Sequence, residues 1–230
     1  MLSASSELQH LMAPAGVSIQ CQIERTIENL ITSLPDPEFL SADERRGIIA
    51  RYTAVLEGNF IYWMTGAYLA AKSEDSRLII LENLHEEVRD CHPGMMRKFA
   101  LAADAFPADS DALAISADLT RVRLFIGRLS GIPLLLMMAF FEGFIQRFMA
   151  FLAKLAQLQG SAEMEYTDVH GVCDVTHTQE LLRALTEEME LNPPEDGTDL
   201  FEGVELLKTL IQRIVAFQPV PVSARRVEVV

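Results

Sequence analysis

Cysteine is scarce in this sequence, and its pattern argues against a secreted, disulfide-bonded protein. The three cysteines, Cys21, Cys91 and Cys173, form an odd set without a CxxC pair, whereas small secreted frameworks carry denser, even sets. The first residues also lack the basic start and unbroken apolar stretch of a signal peptide. We therefore expect a cytoplasmic protein in which the cysteines act as small apolar fillers.

Basic residues and long apolar runs are also in short supply. Lys and Arg number 19 against 33 acidic residues, a formal net charge of −14, so nucleic acid is not an expected partner. The longest apolar run, residues 132–141, is about half of the roughly 20 residues that a membrane span needs. We expect a protein that binds no membrane.

Glycine and proline are sparse inside the periodic segments, and strand-like alternation is hard to find. We predict an all-α, single-domain bundle of about seven helices over residues 1–217, followed by a disordered tail over residues 218–230. The first two helices are expected over residues 18–33 and 41–71, the second opening with a Ser41–Glu44 capping box. The others start near residues 76, 109, 131, 162 and 199.

The most informative motif is His170-x3-Asp174-x2-His177. Offsets of four and three place the three side chains on one stripe of a helix. Imidazole together with carboxylate suits iron or manganese and leaves coordination positions open. The alternative is a polar helix face without a ligand.

A second acidic segment, ENLHEEVRDCHP, contains Glu87 and His92. Charge runs are usually solvated faces, and we read Glu82, Glu86 and Asp90 mainly in that way. A spacing of five is poor for two ligands on an ideal helix, but a helix break at His92-Pro93 would distort it. Glu86 remains a rival to Glu87.

The third piece is Glu142, which lies in the apolar segment MMAFFEGFIQRF. A carboxylate buried nearly all round needs a cation, a hydrogen-bonded partner or a proton. A bridging metal would satisfy it, and so would a buried salt bridge to Arg121, Arg123 or Arg147. Three helices that each offer acids or histidines from an apolar face are typical of carboxylate-bridged dimetal sites.

At these residues the chain resembles the heme-oxygenase-like diiron oxidases, in its segments NLHEEVRDCHPGM and FFEGF and in the His170–His177 motif. The resemblance implies a heme-oxygenase-like bundle holding two Fe(II) ions, with O2 as co-substrate, and a homodimer as the assembly. The implied metal ligands are Glu87, His92, Glu142, His170, Asp174 and His177.

The family's chemistries include N-oxygenation of amines, rearrangement of an amino acid to a nitrile and cleavage of fatty acids to terminal alkenes. The resemblance favours an amine-bearing substrate, an amino acid and possibly an aromatic one, with oxidative decarboxylation of a fatty acid as the alternative. A branch that consumes its own tyrosine is disfavoured, because Leu152 stands where its lysine would be. A metal-free binding module on the same scaffold is the alternative from another class.

Aromatic and sulfur-containing side chains near these motifs are expected to line the substrate cavity. Ordinary core packing is the competing interpretation for each of them singly. The predicted substrate-binding residues are Phe60, Trp63, Met138, Phe141 and Tyr166.

Overall fold

A computed structural model describes residues 18–216, apart from the side chains of residues 172 and 173. The described part contains nine α-helices and one short 3-10 helix, Pro37–Phe39, and no strand, which confirms the all-α prediction. The helices are α1 (Ile19–Thr32), α2 (Ala42–Leu56), α3 (Asn59–Ala70), α4 (Glu74–Arg89), α5 (His92–Ala102), α6 (Asp109–Ile126), α7 (Gly131–Leu158), α8 (Glu165–Leu191) and α9 (Glu202–Ala216). The tail predicted over residues 218–230 lies outside the described residues.

Local capping signals locate the helix starts well. Ser18 accepts a hydrogen bond from the backbone N–H of Cys21 and caps α1. The predicted capping box is present at α2: the Glu44 backbone N–H donates to Ser41 Oγ over 3.3 Å, and the Ser41 N–H donates to Glu44 Oε2 over 2.8 Å. These short-range bonds satisfy N–H groups that the first helical turn leaves without intrahelical partners.

The prediction of one helix over residues 41–71 is wrong. Gly58 adopts a positive φ of 78° and divides the segment into α2 and α3. A residue in the left-handed region cannot continue a right-handed helix, and glycine adopts it without steric cost. This break, and a second between α4 and α5, raise the number of helices in residues 18–216 to nine instead of seven.

Helix α7 is the central element of the bundle. It packs against α1, α2, α3, α5, α8 and α9, and its residues 132–145 are all buried. By length and composition α7 could cross a membrane, but 78% of its most apolar window is buried inside the fold. Its apolar character is therefore explained by its place in the core.

Four helices position the site. Helices α7 and α8 form the most extensive helix pair, and α4 and α5 both pack against α8.

The interpretation of the cysteines as apolar fillers is wrong for Cys21 and Cys91, which are both exposed and free. Cys21 lies on the solvent face of the amphipathic helix α1, and Cys91 lies at the α4–α5 junction.

Candidate dimetal site

Helix α8 presents the predicted ligand motif to the core. Tyr166, His170, Asp174 and His177 are all at most 5% exposed, although α8 as a whole carries many charges. Their offsets of four, four and three keep them on one stripe, which faces the neighbouring helices. The interpretation as a solvated polar face is therefore excluded.

The α4–α5 junction brings Glu87 and His92 together despite their spacing of five. Helix α4 ends at Arg89, and Cys91 takes a left-handed conformation with φ 57° before α5 begins at His92. This reversal places His92 Nδ1 at 2.8 Å from Glu87 Oε1, and both residues are buried. The predicted helix distortion is confirmed, and it occurs just before the His92-Pro93 step.

Glu142 is 2% exposed in the middle of α7. None of the three arginines considered as partners pairs with it: Arg121 binds Asp118, Arg123 binds Asn59 and Arg147 binds Glu28. Instead, Glu142 Oε2 lies 3.9 Å from His177 Nδ1. The salt-bridge alternative is therefore wrong for these arginines.

The six predicted ligands form two buried groups of three, and in each group the donor atoms lie within 4.8 Å of one another. Measured separations include 3.8 Å from His170 Nε2 to Glu87 Oε1 and 3.8 Å from His177 Nδ1 to Asp174 Oδ1. Glu142 also lines the same cavity as the first group, so the groups adjoin. The first is Glu87, His92 and His170; the second is Glu142, Asp174 and His177.

The surroundings of Glu87 and Glu142 shift the pKa values of these two carboxyl groups in opposite directions. Burial alone would raise the pKa of Glu87, but the nearby imidazole of His170, the hydrogen bond from His92 and the positive charge of both rings bring it down to about 2. Burial raises the pKa of Glu142 well above its ordinary value, and the negative charges of Asp174 and Glu87 raise it further. Glu142 therefore lacks the positive charge that it needs to remain ionised.

These residues fit a pair of iron ions. Imidazole nitrogens and carboxylate oxygens bind metal ions at about 2.0–2.2 Å, so two ligands of one ion lie at most about 4.4 Å apart, and small side-chain movements would close each group around one cation. Mixed imidazole and carboxylate donors suit iron. A divalent cation beside Glu142 would also supply the missing positive charge.

Both histidines of α8 are held by hydrogen bonds on the ring edge that faces away from the other residues of their group of three. His170 Nδ1 donates to the Tyr166 carbonyl over 2.8 Å, which leaves Nε2 facing Glu87. His177 Nε2 lies 2.9 Å from Glu86 Oε2. Glu86 thus belongs to neither group of three, and Glu87 occupies the position for which Glu86 was a rival.

A small cavity adjoins the first group, with space for about one water molecule, ≈ 20 Å³. Of the predicted substrate-binding residues, Phe60 and Tyr166 line it, whereas Trp63, Met138 and Phe141 do not. Trp63 and Phe141 pack edge to face, with ring centroids 5.1 Å apart. The full lining is Leu56, Phe60, Ile61, Glu87, His92, Pro93, Met96, Glu142, Ile145, Tyr166 and His170.

A buried tyrosine pair next to the site was not found by sequence reasoning. The hydroxyl groups of Tyr52 and Tyr166 lie 2.9 Å apart, and the Tyr166 ring packs on the His170 ring with centroids 4.3 Å apart. Burial raises the pKa of both phenols, so both stay protonated at neutral pH. Tyr52 lies on the apolar face of α2, which was the available signal. Because Tyr52 is far from the ligand motifs in sequence, no spacing pattern links it to them.

Comparison with known proteins gives one family. The sequence model of a family described as iron-containing redox enzyme matches residues 50–210, a range that includes all six donors. No curated protein and no solved structure matches the chain.

Proposed function

We propose, since this chain belongs to the iron-containing redox enzyme family, that its two groups of donors hold two iron ions and that it is an O2-dependent oxidase or oxygenase. The family match and the nine described helices also establish the all-α, heme-oxygenase-like fold. The observation that carries the proposal is the pair of adjoining, buried groups of three donors in the core. When bound, iron would supply the electrons that begin the reduction of dioxygen.

The protein's own residues would hold the ions and exclude water. Glu87, His92 and His170 would bind one ion, and Glu142, Asp174 and His177 the other. Burial of all six keeps bulk water away from the reacting atoms, which strengthens electrostatic interactions there. The space of about one water beside the first group suits a molecule the size of dioxygen, and a larger substrate would enter only if the lining moved apart.

We favour an amine-bearing small molecule as the substrate, an amino acid and possibly an aromatic one, with N-oxygenation or nitrile-forming rearrangement as the reaction. The cavity supports a substrate with two unlike ends. Leu56, Phe60 and Ile145 line the cavity beside Glu87 and His170, so a substrate there would place an apolar part against the first three and its polar end towards the ion held by the other two. An amino acid with an apolar side chain would match both.

A fatty acid is the second candidate substrate, with oxidative decarboxylation to an alkene as the reaction. A second cavity, with an entirely apolar lining, lies between α2, α7 and α9 and shares Leu56 with the first. Together the two cavities could accept a chain that extends away from the metal ions. Rates of oxygen consumption with amino acids and with fatty acids of increasing length would separate the two candidates.

Metal analysis after anaerobic loading with Fe(II) tests the proposal. We expect about two irons per chain for the wild type and fewer for H170A. The matched control is H85A, because His85 is an exposed histidine on α4, and it should bind as much iron as the wild type. A wild-type chain that binds no iron would favour the metal-free binding module and refute the oxidase.

A further inference from the structure

Glu86 is set apart from the other acidic residues of its helix by a contact with α8. Its carboxylate Oε2 lies 2.9 Å from His177 Nε2, and its side chain is 32% exposed while that of His177 is 5% exposed. Glu82, one turn earlier, is exposed, and Asp90 pairs with Arg89 at the surface. Glu86 is therefore the acid of this run that meets a histidine of the second group.

We infer that Glu86 is a positioning residue that fixes the proton and ring orientation of His177. This inference rests on the proposed dimetal function and extends it to a residue outside the two groups of three. A carboxylate accepts hydrogen bonds, so the proton of the neutral imidazole is held on Nε2. Nδ1 then presents its lone pair to the space between Glu142 and Asp174, at 3.9 and 3.8 Å.

The other histidine of α8 shows why this contact is distinctive. His170 is oriented by the carbonyl of Tyr166, one turn earlier in its own helix, and presents the opposite nitrogen, Nε2, to Glu87. A backbone carbonyl survives any side-chain substitution. The orientation of His177, in contrast, depends on a side chain from a different helix.

Helix α4 consequently serves both groups through adjacent residues. Glu87 faces the first group, and Glu86, about 100° further round the helix, reaches the ring of His177 from its outer edge. A carboxylate on that edge cannot bind an ion held at Nδ1, on the opposite side of the ring. This geometry separates the positioning role from the ligand role for which Glu86 was a rival.

Histidine tautomers in the metal-free protein give the first test. Nitrogen-15 NMR of wild type should show His177 with its proton on Nε2, and E86A should shift His177 toward the other tautomer. E86Q should retain the wild-type form, because the glutamine carbonyl oxygen also accepts a hydrogen bond. E82A is the matched control, since it removes an exposed carboxylate of the same helix. Unchanged His177 signals in E86A would overturn the inference.

Binding of Mn(II), measured by calorimetry and electron paramagnetic resonance, gives the second test. We expect E86A to lower the affinity for one of the two Mn(II) ions by about 10–100-fold. E86Q should lower this affinity less, and E82A should bind both ions as wild type does. Equal binding by E86A and wild type would contradict the inference. The two tests fail independently, because the NMR test needs no metal. If wild type bound no metal, the dimetal proposal would be refuted, and the His177 tautomer in E86A would still decide the role of Glu86.

Discussion

Replacement of Glu142 should change the stability of the protein in a direction that depends on whether metal is present. The carboxylate is 2% exposed, and its surroundings raise its pKa well above the ordinary value. The substitution Glu142→Met keeps a similar shape and removes the buried carboxyl group. In metal-free protein it should therefore stabilise the fold.

The expected gain is the desolvation penalty of a buried polar group that is not fully hydrogen-bonded, about 1–3 kcal/mol. For a chain of this size that corresponds to a rise in Tm of about 2–4 °C for each kcal/mol. Ferrous iron at 100 times its Kd should add about 2.7 kcal/mol per site to the wild type. E142M should gain less stability from iron, because one group has lost a donor. Iron should therefore reduce or reverse the difference in stability between E142M and wild type.

Glu188 offers a matched control for this substitution. It is also a buried glutamate, 1% exposed, but its Oε1 accepts hydrogen bonds from the backbone N–H groups of Lys72 and Ser73 over 2.7 and 2.6 Å. Glu188→Met removes the acceptor of both hydrogen bonds and should destabilise the fold by at least about 2 kcal/mol, with or without iron. Calorimetry of anaerobic samples measures wild type, E142M and E188M, each with and without iron. If metal-free E142M proved less stable than metal-free wild type, the argument that Glu142 lacks a positive charge would be wrong.

Two further predictions concern the α4–α5 junction. The pKa of Glu87 is lowered to about 2 from 4.5, so its contribution is fully present above about pH 4.5 and is lost as the pH falls through 2. At 1.36 kcal/mol per pKa unit the contribution of Glu87 to the free energy of unfolding is about 3 kcal/mol. Urea unfolding of E87Q between pH 5 and 2 should therefore lack this loss of stability, and a dependence on pH as steep as that of wild type would contradict the prediction. At Cys91, where φ is 57°, C91V should destabilise by at least about 1 kcal/mol and C91G should not, as measured by denaturant unfolding. Equal stability of C91V and C91G would show that the left-handed conformation is not required.

Regular local periodicity explains why the helices and the most specific motif could be predicted from sequence. His170, Asp174 and His177 share one stripe whatever surrounds α8, because the helix repeat alone determines their relative directions. The capping residues Ser18 and Ser41 act through bonds to N–H groups only three residues away. The apolar surroundings of Glu142 similarly predict its burial.

The sequence by itself determined the all-helical class and the residue types available for a dimetal site, because both depend on neighbours a few positions apart. Tertiary structure decided which nitrogen of each histidine faces inward, and that Glu86 holds the His177 ring while Glu87 joins the first group. It also decided that Phe60 lines the cavity while Trp63 packs against Phe141. Those outcomes depend on contacts between α3, α4, α7 and α8 and on a single left-handed residue, Cys91. Packing directions between helices and one backbone torsion leave no periodic signal in a linear sequence.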